Sequence, residues 1–168
     1  EDAAVQVLSG VALEYPAGFA AKRALACSIL GDLRDASAVP ALVATLRDPV
    51  VAVASWACDA LARIGDRDAL PALQRWHQRL LSLASAGAVP ASAGVVDVLL
   101  AQAAGARLAL GDSRCIPDLV GLLLSGEDQA RRVAFEAMRA RFGSELQYDP
   151  DAPPAERRSA VECWQAEH

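Results

Sequence analysis

Residues 24–32 read ALACSILGD, and residues 38–42 read AVPAL. The same phrase returns as ACDALARIGD at 57–66 with ALPAL at 69–73, and as AGARLALGD at 104–112 with CIPDL at 115–119. Each part has a physical job. Glycine accepts the left-handed backbone that ends a helix, so Gly31, Gly65 and Gly111 read as stops. Asp32, Asp66 and Asp112 follow, each able to cap the next helix with its carboxylate. Pro40, Pro71 and Pro117 then fall in the first turn of that helix, where a missing N–H leaves nothing unsatisfied. The unit is helix A, a short turn and helix B. The stops stand 34 and 46 residues apart, which suits helical-hairpin repeats of ~30–50 residues.

Working outward, Arg47-Asp48-Pro49-Val50 reads as the end of one B helix, an Asp cap and a proline opening the next A helix. Leu124-Ser125-Gly126-Glu127-Asp128 does the same later. The predicted fold is all-α: an α-solenoid of antiparallel helical hairpins with about 8 to 9 helices. Residues 1–168 form one repeat domain in this reading. It comprises an N-terminal half-repeat (1–15), repeats at 17–47, 49–87 and 95–125, and a modified capping repeat at 127–168. In the last, Tyr148-Asp149-Pro150-Asp151 replaces the usual turn, and a helix over 155–166 offers Val161 and Trp164 to the core. Residues 82–95, rich in Ala, Ser and Gly, read as an extension of the second B helix into a small-residue loop.

Composition agrees. Alanine makes up roughly a fifth of the 168 residues and is the best helix former. Hydrophobic residues reach 54% and aromatic ones only 5%, so the helices pack through small side chains. Lys22 is the single lysine against many arginines, a bias expected of GC-rich bacterial coding. Net charge is −5, which argues against a general nucleic-acid binder. No apolar run approaches the ~20 residues that cross a bilayer. Cys27, Cys58, Cys115 and Cys163 lack metal-site spacing and read as small apolar core residues, so neither a disulfide nor a metal is expected. Unpaired thiols lean towards a reducing compartment. The chain opens on Glu1 with no methionine, which reads as a processed or trimmed start.

The pattern Leu-Gly-Asp, then Ala-Val-Pro-Ala-Leu, then Asp-Pro-x-Val, resembles bacterial HEAT repeats of the phycobilisome-lyase type. The resemblance covers roughly residues 17 to 143. It implies a HEAT-like superhelix; on function the family is broad, spanning scaffolds, regulators and lyases.

Aligning the B helices on their prolines sorts their faces. The columns Val39/Leu70/Ile116, Leu42/Leu73/Leu119, Val43/Gln74/Val120 and Leu46/His77/Leu123 are expected to be buried. The columns Ala41/Ala72/Asp118, Ala44/Arg75/Gly121, Thr45/Trp76/Leu122 and Asp48/Arg79/Ser125 are expected to line a concave surface. Arg75, Trp76, Arg79, Leu122 and Thr45 are therefore the candidate partner-binding residues, since Trp and Arg dominate interface hot spots. Trp76 has a second reading, packed under the 82–95 segment and completing a local core. His77 reads as a hydrogen-bonded core residue, with Gln74 either its partner or the mark of a rotated helix. Asp32, Asp66 and Asp112 are read as caps rather than a carboxylate cluster, being one repeat, roughly 10 Å, apart. Arg34, Arg67 and Arg114 are placed to bridge successive repeats.

The function that follows is a non-catalytic protein-interaction module: a scaffold, adaptor or subunit binding a protein partner on the concave B-helix face. No cofactor is called for. The alternatives are an enzyme of a HEAT-like family, bilin-lyase-like or DNA-base-processing, and a homo-oligomerising structural domain. A di-iron hydroxylase would need His-Glu pairs that the chain lacks, and a base-processing cleft would need basic charge.

Overall fold

The computed structural model describes residues 2–14, 19–85 and 93–167. Among them are nine α-helices and no strand, the helical solenoid class expected from the repeats. They are α1 (Asp2–Glu14), α2 (Ala20–Leu33), α3 (Val39–Thr45), α4 (Val51–Ile64), α5 (Leu70–Ser85), α6 (Ala93–Ala109), α7 (Ile116–Leu123), α8 (Asp128–Phe142) and α9 (Pro154–Glu167). The A helices are α2, α4, α6 and α8; the B helices are α3, α5 and α7. The chain divides into two compact units, Glu1–Trp76 and His77–His168, with the division falling inside α5.

The turns between A and B helices explain the recurring phrase. Gly65 ends α4 in the left-handed region (φ 79°), and Gly111 sits at φ 91° after α6. Asp66 accepts from Asp68 N at 2.9 Å and Asp112 from Arg114 N at 3.3 Å, each capping a 3-10 turn that leads into the B helix. The first repeat departs from expectation. Helix α2 runs through Gly31 to Leu33, and Arg34 takes the left-handed turn at φ 52°. Asp35 caps instead, accepting from Ser37 N at 2.8 Å. Asp32 is left exposed and pairs with Arg63.

The reason lies in helix packing. In the first unit α2 lies against α4, with α1 against α2 and α3. A Cβ on Gly31 would stand 2.8 Å from Ala60 Cα, nearer than side chains approach backbone. Gly31 thus serves contact between A helices rather than termination. Around it Ala26, Cys27, Leu30, Ala57, Cys58 and Leu61 are buried, with Leu42 and Leu46 from α3. One ion pair is built into this layer. Arg23, 2% exposed, forks onto Asp48 at 2.8 and 3.1 Å, and Asp48 also accepts from Val50 N at 2.8 Å just ahead of α4.

In the second unit α6 lies against α8, and α7 against α6, α8 and α9. Its core joins Leu108, Leu119, Leu123 and Met138 to Tyr148, Val161 and Trp164 from the C-terminal segment. Tyr148 Oη donates to the Leu123 carbonyl, and Trp164 meets Phe142 edge-on at 5.3 Å between centroids. Arg131 donates to the carbonyls of Ser125 (2.9 Å), Gly126 (3.1 Å) and Pro150 (3.0 Å), fastening the terminal loop to the preceding turn. The last helix begins at Pro154, one residue before the expected start.

Of the small-residue stretch 82–95, Ser82–Ser85 complete α5 and Ala93–Val95 open α6; residues 86–92, with the loop expected there, lie outside the described residues. Cys27, Cys58 and Cys115 are buried free thiols, whereas Cys163 is exposed, against its assignment to the core. It stands on α9 with Glu162, beside rather than on the buried Val161–Trp164 stripe.

Losing the Arg23 guanidinium would strand a buried carboxylate, which typically costs about 3–5 kcal/mol. Arg23→Met, which keeps the aliphatic stem, is expected to lower the unfolding free energy from urea titration by that much, with a matching fall in the midpoint. An unchanged midpoint would show that the pair is not part of the stack's support.

Candidate functional site

Helix α5 carries the residues on which the sequence places a site. Its buried positions are Ala72, Leu73, Trp76, His77 and Leu80, following Ala69. That spacing of three and four is one helical stripe, and Trp76 lies on it, 5% exposed. The column Thr45/Trp76/Leu122 is therefore not a surface column. Thr45 is 3% exposed, its hydroxyl donating to the Ala41 carbonyl at 2.9 Å, and Leu122 is half-buried. Ala41 and Ala72 are buried as well. The proline alignment set the buried stripe at the wrong rotation: in α3 and α5 it takes in Ala41, Thr45, Ala72 and Trp76, while Val43 and Gln74, expected in the core, are only half-buried. Of the five candidates, only Arg75 and Arg79 stand exposed, one turn apart along the edge of the buried stripe.

His77 does occupy the core, but its partner at Nδ1 is Arg107, on α6. Arg107, 7% exposed, also forks onto Asp112 Oδ2 through Nε at 3.1 Å and Nη2 at 2.9 Å. Asp118 on α7 lies 3.8 Å from His77 Nδ1 and 3.9 Å from Arg107 Nη1. Arg114 closes the network, donating from Nε to Asp112 Oδ1 at 2.8 Å. So Asp112 both caps its turn and anchors a buried guanidinium, while Arg114 serves its own turn and does not bridge repeats. The bridge between repeats in the first unit is Arg63 to Asp32, which the sequence reading had assigned to other arginines.

The electrostatics of this network are one-sided. An arginine donor at Nδ1 requires that nitrogen to accept, which puts the imidazole proton on Nε2. That Nε2 is buried without a hydrogen-bond partner among the described residues. Burial first, then the Arg107 charge, push the His77 imidazole below its ordinary value, against a smaller upward pull from Asp118. Cys115 is pushed up to about 11, chiefly by burial, and its Sγ meets the carbonyls of Ala104 at 3.1 Å and Asp112 at 3.0 Å. Neutral imidazole, protonated thiol and saturated carboxylate amount to a structural network, without an activated nucleophile. Among the described residues no group of three or more His, Cys, Asp or Glu is placed to hold a metal ion.

Sequence reasoning missed Arg107, yet a signal was present. Counted back from the Gly stops, Arg107 takes the place of Cys27 and Leu61, both fully buried. His77 replaces Leu46 and Leu123, and Asp118 replaces Ala41 and Ala72. Three polar departures from inward-facing positions, each harmful alone, become tolerable together.

The second unit also holds an apolar cavity of about 410 Å³, lined by Ile116, Pro117, Val120, Phe142, Trp164 and Gln165. The polar groups of its lining side chains are an amide and an indole N–H, so it offers shape and apolar surface without acid–base chemistry.

This architecture places the chain among the helical-repeat proteins. The family model for HEAT repeats matches residues 11–79, less than half of the chain, so over that stretch the sequence is similar to HEAT repeats. That family is typically non-catalytic. No curated protein matches the chain. Among the described residues no helix is long and apolar enough to cross a membrane.

The His77 site predicts a pH effect. Its folded value lies below that of the unfolded chain, so the unfolded state binds the extra proton first as pH falls. The associated stability is complete above pH ~6.5 and drains below it, with a slope of at most about 1.4 kcal/mol per pH unit. Urea unfolding at pH 7.5 and 5.5 should show a larger loss for the wild type than for His77→Gln. Equal losses would mean that His77 is not held neutral.

Proposed function

We propose that the chain is a non-catalytic protein-interaction module, a scaffold, adaptor or subunit of a larger assembly, that receives a protein partner on the B-helix side of its repeats. The observation that carries this reading is the exposure of Arg75 and Arg79. Both stand free of acidic partners among the described residues, on a helix whose buried stripe is locked into the core. Two arginines one turn apart suit a partner bearing carboxylates, since guanidinium forks bind them in pairs.

The other sequence candidates take different roles here. Trp76 and Thr45 support α5 and α3 from within, and Leu122 is only half available. The lyase-type resemblance rests on turn residues such as Asp66 and Asp112, which act as caps, so it supports the repeat architecture and assigns no group to pigment chemistry.

The test is affinity capture from the native host with wild type, Arg75→Glu/Arg79→Glu, and Arg158→Glu, an exposed arginine on α9, as the control. A partner retained by wild type and by Arg158→Glu, and weakened at least about tenfold by the double variant, supports the assignment. A partner held equally by all three would place the binding surface elsewhere.

A further inference from the structure

The outer face of the A helices in the first unit exposes large apolar side chains between charged ones, with Asp59 and Arg63 three and seven residues beyond Trp56. Leu25 is 61% exposed, Ile29 36% and Trp56 46%. The chain has three tryptophans; the other two, Trp76 and Trp164, are 5% and 7% exposed.

These residues form one surface. On α2, Lys22, Leu25, Ile29 and Asp32 follow at intervals of three, four and three residues, which at 3.6 residues per turn keeps them on one face; all four are exposed. Helices α2 and α4 lie side by side and parallel. Arg23 meets Asp48 just ahead of α4, while Gly31 abuts Ala60 and Asp32 pairs with Arg63 near its end. Interpolating between those contacts sets Trp56 level with the stretch from Leu25 to Ile29.

The order along α2 is cation, apolar, apolar, anion, with palindromic spacing. Turned end for end, the row presents its own complement: Leu25 falls opposite Ile29, and Lys22 opposite Asp32. A two-fold axis lying across the helices, level with Cys27, performs this operation. The same axis brings Trp56 over Trp56 of the other copy. Isologous interfaces require such a surface, in which residue i meets j and j meets i.

We propose that the α2–α4 face is a self-association surface, and that its occupant is a second copy of this chain docked antiparallel through the two-fold axis. This face is separate from the Arg75/Arg79 edge, so the two assignments stand or fall independently.

The size of the surface sets the strength. A helix of 14 residues spans ~21 Å, and two helices 8–10 Å apart present about 400 Å² per copy. A total near 800 Å² is below the usual range for stable complexes, so the dimer is weak and reversible. The Lys22–Asp32 pairs lie at the rim. Asp32 already meets Arg63, and Lys22 lies 4.8 Å from the Phe19 ring centroid. Their role across the interface is register and salt dependence more than affinity.

Sedimentation equilibrium of the full chain, from about 10 µM to about 1 mM, tests this. Wild type should show a monomer–dimer equilibrium that weakens with added salt. Leu25→Glu and Trp56→Glu should abolish it, with urea midpoints confirming folded protein. Lys22→Glu and Asp32→Lys should each weaken it at least about threefold, and the double swap should restore it because the opposed pair is rebuilt with signs reversed. A chain monomeric throughout overturns the proposal. So does a dimer untouched by Leu25→Glu and Trp56→Glu, or a double swap no better than its singles.

Discussion

Everything in this fold depends on how closely successive A helices approach. Gly31 faces Ala60 in the first unit at a distance that admits no side chain, and Gly105 faces Ala137 in the second, where an added Cβ would stand 3.0 Å from the alanine methyl. The same pairing of glycine with alanine, one repeat apart, occurs in both units. Small residues at these crossings let helices share flat, extensive surfaces, and buried alanines and cysteines fill the rest of the layer. The high alanine content is thus a packing device as much as a helix-forming one. The ion pairs follow from it. Arg23 reaches Asp48, and Arg63 reaches Asp32, because the A helices are held near enough for side chains to span repeats.

The legible part of the sequence was its punctuation. Gly65 and Gly111, the caps Asp66 and Asp112, and the first-turn prolines each act locally, so a short phrase suffices to read them. Gly31 misled because one residue type serves two purposes: ending a helix and permitting a close crossing. The cost appears three residues later, where Arg34 adopts the left-handed backbone that glycine would take more easily. The capping segment was also readable, since Val161 and Trp164 are its main apolar residues; the Arg131 clamp on three carbonyls was not, because backbone acceptors leave no trace in side-chain identity.

The B helices were harder for a different reason. Sorting their faces by proline alignment fixes which side turns inward, but α3 and α5 are rotated so that Ala41, Thr45 and Trp76 are buried while Val43 and Gln74 are only half-buried. Alanine and threonine read equally well as surface or core, so the column looked solvent-facing. His77, Arg107 and Asp118 show the converse. Each departs from an apolar consensus, and only their mutual proximity turns three apparent defects into one network. Trp56 leaves no signal in the sequence because Leu25 and Ile29 belong to another repeat, and the surface they share exists only once α2 and α4 are set in register.

Each unit is built on a glycine–alanine crossing of its A helices. Urea unfolding of Gly31→Ala tests it most directly, because the two relevant effects oppose each other. Alanine within a helix should add about 1 kcal/mol through helix propensity, whereas forcing a methyl against the Ala60 backbone should remove about 1–3 kcal/mol or more. A net loss of stability is expected, larger than that of Gly105→Ala, whose methyl meets only a side chain. A Gly31→Ala variant as stable as wild type, or more so, would contradict the account.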